Sequence, residues 1–264
     1  MADRLVVVIS GAGRGLGNCL AKGYLARSNC TVVGTVRDDA SPGVAELRSL
    51  SVSAGPETKL MIVKVESASD NDAKNAVEQM QAAGIDHVDI LIANAGVSPP
   101  VDPLEKVSFT ALESTIRVNA LGPLSLYQAC HPLLSKSKDA KFVTVSSAAG
   151  SLSAMEGNGA WVAPSYSISK AALNWITLSA HCGNNWLTAF AVNPGLVDSD
   201  MGNRTAAFLG LERAPLTMAY SASKIIKLID GASRKYESGK FLNVSPLEGK
   251  GMEKEGQLCT ELPW

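Results

Sequence analysis

Three tyrosines in this 264-residue chain are followed four positions later by a lysine: Tyr166/Lys170, Tyr220/Lys224 and Tyr236/Lys240. On a helix that spacing puts both side chains on one face, where an ammonium favours the ionised form of a phenol beside it. A free phenol titrates near pH ~10, so such a pair is a candidate for proton transfer in the working range. Spacing alone leaves the three pairs equal. Other groups with chemical character are the hydroxyls of Ser146 and Ser147, the amides of Asn94 and Asn119, and the stretch Ser10-Gly11-Ala12-Gly13-Arg14-Gly15-Leu16-Gly17.

The elements that must hold these groups are legible from hydrophobic pattern. Residues 5–9 form a continuous apolar, β-branched run, as expected of a strand covered on both faces. The glycine stretch follows at once and leads into a helical pattern through Arg27. A glycine turn in that position aims backbone N–H groups and the positive end of the helix dipole at a phosphate. The Gly-Lys-Ser/Thr ending of a P-loop is absent. Further strands are predicted at 31–36, 60–65, 88–93, 142–146 and 187–192, with a short one at 241–244. Helices are predicted at 44–50, at 69–83 with Ser69 and Asp72 in a capping-box relation, at 108–134, from Tyr166 to Cys182, and at 218–229. This β-α-β-α order predicts one α/β domain over residues 1–264, a Rossmann-type doubly wound parallel sheet between two layers of helices. Within 108–134, Asn119 lies close to Gly122-Pro123, which disfavour a helix interior and predict a kink with free backbone groups.

The end of the second strand is where a dinucleotide fold meets the adenosine ribose. Arg37 lies just past that strand, and Arg14 in the glycine turn can approach the same region. Two guanidiniums suit a 2'-phosphate, which favours NADP(H) over NAD; two solvated surface arginines are the plainer reading. Asp38 is the competitor, able to pair with Arg37 or accept from a ribose hydroxyl.

Composition narrows the field. A formal net charge of -1 gives no basic excess for nucleic acid or an anionic membrane, so a small-molecule substrate is expected. Five cysteines without a CxxC pair read as reduced thiols rather than a metal site. With no signal-like or membrane-length apolar run, a cytoplasmic protein is expected.

The glycine turn, Asn94-Ala95-Gly96, Asn119, Ser147, Tyr166/Lys170 and Pro194-Gly195, in this order, resemble the short-chain dehydrogenase/reductase family over roughly residues 5–245. Within it the chain is most similar to fungal ketoreductases of the norsolorinic acid ketoreductase type and to carbonyl reductases. The resemblance chooses among the pairs, because the family's active tyrosine lies between the serine of the fifth strand and the strand ending in Pro-Gly. Only Tyr166 does so. It implies that Tyr166 protonates a carbonyl oxygen while hydride arrives from NADPH. Lys170 would lower the phenol's pKa and hold the nicotinamide ribose, Ser147 would bind the oxyanion, and Asn119 would hold a water leading to solvent. It further implies cofactor contacts from Gly11, Arg14, Gly15, Leu16 and Gly17, from Arg37, from Asn94, Ala95 and Gly96, and from Pro194, Gly195, Val197 and Ser199. The family's adenine-binding Asp after the third strand is not evident; Glu66 stands nearest. The interval from Ser147 to Tyr166 is longer than usual, which points to substrate loops at 151–165, with Trp161, and at 198–215.

The expected reaction is NADPH-dependent reduction of a ketone in a bulky, hydrophobic small molecule, plausible in secondary metabolism. Reduction of an imine in alkaloid synthesis and a non-catalytic NADP(H) sensor are the rivals. The resemblance implies a dimer or tetramer packed through the helices of Asn119 and Tyr166, and the tail from Glu248 to Trp264 has the reach to cover the substrate mouth or a neighbouring subunit.

Overall fold

A computed structural model describes residues 4–55, 57–245 and 259–264. Seven strands run in parallel: β1 (Leu5–Ser10), β2 (Cys30–Val36), β3 (Lys59–Lys64), β4 (Ile90–Ala93), β5 (Lys141–Val145), β6 (Thr188–Asn193) and β7 (Phe241–Asn243). A final strand, β8 (Thr260–Leu262), pairs antiparallel with β7, and the sheet order is β3-β2-β1-β4-β5-β6-β7-β8. The strand order reverses between β1 and β4, and in such sheets the ligand crevice opens there, at the carboxyl ends of the strands.

Alternation along the strands divides the core in two. Val7 and Ile9 face one layer with Leu20 and Tyr24 of α1 (Gly15–Leu25). Val6 and Val8 face the other, with Val77 and Met80 of α3 (Asp72–Ala82). The first layer also holds α2 (Pro42–Val52) and, at the far end of the chain, α9 (Met218–Gly231). The expected strands are all present, within two residues of their predicted ends.

Four features differ from expectation. Helix α3 begins at Asp72, not Ser69: the Ser69 hydroxyl does bond Asp72, but the Asp72 carboxylate also accepts from the Glu66 N–H at 2.9 Å and builds a turn there. The 108–134 region is α4 (Phe109–Ile116) and α5 (Gly122–Leu134) joined by a π-helical turn, Arg117–Leu121. The long loop before Tyr166 contains a short helix, α6 (Met155–Asn158), and a 3-10 turn, Ala160–Val162. Helix α7 (Pro164–Gly183) follows, and the 198–215 segment contains α8 (Asp200–Phe208), capped where the Ser199 hydroxyl accepts from Gly202 N–H at 3.1 Å. Of the predicted tail, residues 248–258 lie outside the described residues. Among the described residues no helix is long and apolar enough to cross a membrane.

Candidate active site

The glycine turn binds two strand ends together. Ser10 Oγ accepts from the N–H groups of Asn94 and Ala95 at 2.9 and 3.0 Å, and the Asn94 amide donates to the Ser10 carbonyl at 2.9 Å. Gly17 sits so close beneath this junction that a Cβ would run into the Gly11 carbonyl and the Asn94 amide. Gly17→Ala is therefore expected to cost about 2–3 kcal/mol, read as a lowered midpoint in thermal denaturation. An unchanged midpoint would contradict this packing. Leu16 is partly buried and packs against the first core layer.

Helix α1 begins at Gly15 with no side chain capping its first N–H groups and no acidic residue in its first turn. That is the donor chemistry a phosphate requires. Arg14 and Arg37 flank the turn, both exposed, with no side-chain hydrogen bond or ion pair seen for either among the described residues. Asp38 is not their partner, since its carboxylate accepts from Ala40 N–H at 3.0 Å. A cavity between β3, the 94–96 turn and α5 is lined by Ser10, Glu66, Ser67, Ala95 and Gly122. Glu66 turns its carboxylate back onto Ala68 N–H at 3.3 Å. Backbone donors, two exposed guanidiniums and this cavity together fit a phosphorylated dinucleotide.

Past the strand edge, the Ser147 hydroxyl lies beside the Tyr166 phenol, close enough to favour its ionised form. Lys170, one helical turn on from Tyr166, is only 4% exposed and donates to the Val145 carbonyl at 2.8 Å. Its Nζ lies 5.7 Å from the centre of the Tyr166 ring. Lys224 has a similar relation to Tyr220 at 5.3 Å, so burial rather than spacing separates the pairs. Tyr236 sits in a turn, and Lys240 pairs with Glu261 at 3.1 Å.

Burial sets the proton affinities. It pushes the Tyr166 phenol above its ordinary value, and the Ser147 hydroxyl offsets only part of this. Withdrawal from water is the largest influence on the phenol and sets the direction of its shift. The same burial depresses Lys170 from 10.5 to about 8. Between those values the unfolded chain holds a proton the folded chain releases, so stability rises with pH across that window and the full cost is present below it. Lys170→Met is expected to be more stable at pH 7 by up to about 3 kcal/mol, less the lost bond to Val145, with the gain fading toward pH ~10.5. Urea denaturation of both proteins at neutral and alkaline pH checks this, and a pH-independent difference would contradict it.

The Asn119 side chain is fully buried and fully used. Its Oδ1 accepts from Val97 N–H at 2.8 Å, and its amide donates to the Val97 carbonyl at 2.8 Å and to Ser169 Oγ at 2.9 Å. A water held by this side chain, as the resemblance implies, would have to displace one of those partners. The backbone is different. Gly122 N–H bonds back to Arg117, and Pro123 has no N–H, so the carbonyls of Val118 and Asn119 both lack their α-helical donors. The Gly-Pro pair thus interrupts the α-helical bonding pattern at this point, as its residue types predicted.

Several positioning residues were not expected. Asn174, one turn beyond Lys170, accepts from Ser146 Oγ at 2.6 Å and donates to the Gly150 carbonyl at 3.2 Å. A Cβ on Gly150 would lie 2.8 Å from the Lys170 carbonyl carbon, so glycine there lets α7 rest directly on the Ser147 turn. Asn193 Oδ1 accepts from Ala148 N–H at 3.2 Å, and Asn18 ties the glycine turn to Gly43 at 3.0 Å. Tyr166, Lys170 and Asn174 at every fourth position form a polar stripe on α7, a signal that could have revealed Asn174. Beyond β6, Pro194 accepts from Ser221 Oγ at 2.9 Å, Val197 buries its side chain and bridges Leu216, and the Ser199 hydroxyl is occupied as the α8 cap. Contacts from Val197 and Ser199 to a cofactor would therefore run through the backbone.

A switch-point crevice with a phosphate-ready glycine turn, beside a Ser–Tyr–Lys cluster, defines a dinucleotide-dependent oxidoreductase. Residues 5–210 match the short chain dehydrogenase family, and the chain belongs to it. It is 42% identical over 266 residues to Short-chain dehydrogenase srdF of Neurospora crassa, across 100% of this chain and 99% of that one. It is 33% identical over 242 residues to the norsolorinic acid ketoreductase of Aspergillus parasiticus, across 91% of this chain and 88% of that one. Among solved structures, the NADPH-bound carbonyl reductase from chicken fatty liver superimposes with a TM-score of 0.79 at 29% identity, covering 91% of this chain and 92% of that one. The chain is thus an oxidoreductase that uses a nicotinamide cofactor.

Proposed function

We propose that the protein reduces the ketone of a bulky, hydrophobic small molecule with NADPH, Tyr166 acting as the proton donor. The observation that carries this reading is Lys170, buried one helical turn from Tyr166 with its Nζ 5.7 Å from the ring centre, beside the Ser147 turn and at the edge where the glycine turn also opens. A phenol holds its proton at neutral pH and can give it to an oxygen that is gaining charge. Ser147 lies within reach of that same oxygen and supplies a preorganised hydrogen bond to it. When bound, the reduced nicotinamide supplies the hydride. Lys170, with its pKa drawn down to about 8, is suited to return a proton to the phenolate and to recover one from solvent. The backbone carbonyl of Asn119, which lacks its α-helical donor because residue 123 is proline, is the group we assign to that solvent link.

The preference for the phosphorylated cofactor rests on the exposed Arg14 and Arg37 and on Asp38 being tied to Ala40. The relatives whose names include a ketoreductase and a carbonyl reductase favour a ketone substrate. Apolar side chains stand exposed on the segments around Tyr166, among them Leu152, Trp161, Phe208 and Leu209, and favour a large hydrophobic one. NADPH consumption against a panel of polycyclic ketones, quinones and cyclic imines tests the proposal. Turnover of the ketones is expected. Tight NADPH binding without consumption in any case would indicate a cofactor sensor instead.

A further inference from the structure

The segment in front of Tyr166 is pinned at three places. Asn158 donates to the Ala148 carbonyl at 3.2 Å, and Ser167 Oγ donates to the Ala160 carbonyl at 2.8 Å, both within the same stretch of chain. The third tether comes from far away in sequence. Ser153 donates both its N–H, at 3.2 Å, and its hydroxyl, at 3.0 Å, to the main-chain oxygen of Trp264. Trp264 in turn stacks on Phe241 of β7, with ring centres 5.6 Å apart and planes inclined at 22°. Phe241 is fully buried and paired with Ala191 of β6, so this anchor is part of the sheet itself. Strand β8 delivers Trp264 to that place by pairing Leu262 with Phe241 and Thr260 with Asn243.

We propose that Trp264 is a positioning residue for the segment 151–163. Its ring fixes it to the sheet, and its main-chain oxygen holds Ser153. The start of the segment is thereby set relative to Ser147 and Tyr166. No other tether reaches the stretch between Ser151 and α6 from a distant part of the chain among the described residues. Leu152 and Trp161, 68% and 61% exposed, are the apolar side chains that this segment presents. Holding the segment still lowers the ordering cost of binding a bulky substrate, while proton transfer and the cofactor half of the site lie on other elements. Under the reading above, loss of the tether weakens substrate binding and spares the chemistry.

The test compares Trp264→Ala, Trp264→Phe and Ser153→Ala in the full chain. Trp264→Ala is expected to speed amide hydrogen exchange in residues 151–158 by about tenfold, with NADPH affinity unchanged. It is expected to raise KM for a polycyclic ketone about tenfold with kcat nearly unchanged, the pattern of lost uniform binding. Trp264→Phe, which keeps a ring on Phe241, restores both. Ser153→Ala removes one of the two donors, leaves the sheet anchor intact and produces a smaller change of the same kind, so it decides the matter if Trp264→Ala does not fold. Exchange in 151–158 that is unchanged in Trp264→Ala, or in Ser153→Ala where that variant alone is folded, overturns the proposal. The kinetic arm rests on the ketone reading, whereas the exchange arm does not. Absence of turnover in the parent protein would therefore sink that reading and leave exchange to judge the clasp.

Discussion

Replacing Tyr166 with Phe is expected to reduce turnover by about a thousandfold or more, because the ring remains while the proton donor is lost. NADPH affinity should stay within about twofold of the parent, since the phenol hydroxyl contributes little to uniform binding. The buried environment makes this variant informative. Lys170 is held by the Val145 carbonyl independently of the phenol, so the change leaves it in place. Single-turnover measurements with NADPH and a ketone check the prediction. The corresponding change at Tyr220, whose lysine stands at nearly the same distance from its ring, should leave turnover intact. Equal losses at the two sites would mean that place in the fold does not separate the two pairs.

The second large effect concerns the cofactor. Changing Arg14 and Arg37 together to Ala should weaken NADPH binding by about a hundredfold, while NADH binding changes by no more than a few-fold. The size follows from losing two charge-assisted bonds to one dianionic phosphate, each typically contributing about 1.5–3 kcal/mol. The loss should shrink as salt concentration rises, because both guanidiniums are exposed and screened. Isothermal titration with the two dinucleotides at low and high salt measures it. Parallel weakening of both dinucleotides would show that the arginines act on a part the two molecules share.

How much of this could be read from the chain depends on the range of the forces involved. The glycine turn was legible because strand, turn and helix are contiguous, and each signals its own geometry over a few residues. Tyr166 was legible only through order along the chain, and what separates it from Tyr220 physically is the burial of Lys170, which no local pattern reports. The same invisibility of burial hides the direction of the phenol's shift. Asn174, Asn193 and Asn18 escaped notice because each bonds a segment distant in sequence. Helix α8 was obscured by Gly202 and Gly210, while its start depends on a single hydroxyl, Ser199. Strand β8 is three residues long and acquires its conformation from β7.

The kink at Gly122-Pro123 shows the opposite case, in which two residues carry a long-range consequence. Their missing and redirected N–H groups accompany the π-helical turn and leave two carbonyls without α-helical donors next to the buried amide of Asn119. The side chain serves architecture, pinning Val97 and Ser169.

The central claim, reduction of a ketone by hydride from NADPH, is tested most directly by following the hydride itself. NADPH carrying deuterium at the transferring carbon should be incubated with the protein and a polycyclic ketone, and the product examined by mass spectrometry and NMR. The account predicts an alcohol with deuterium on the former carbonyl carbon, in one configuration, at one equivalent per NADPH consumed. Recovery of unlabelled ketone from a protein that binds the cofactor tightly, across the whole panel of carbonyl compounds, would contradict it.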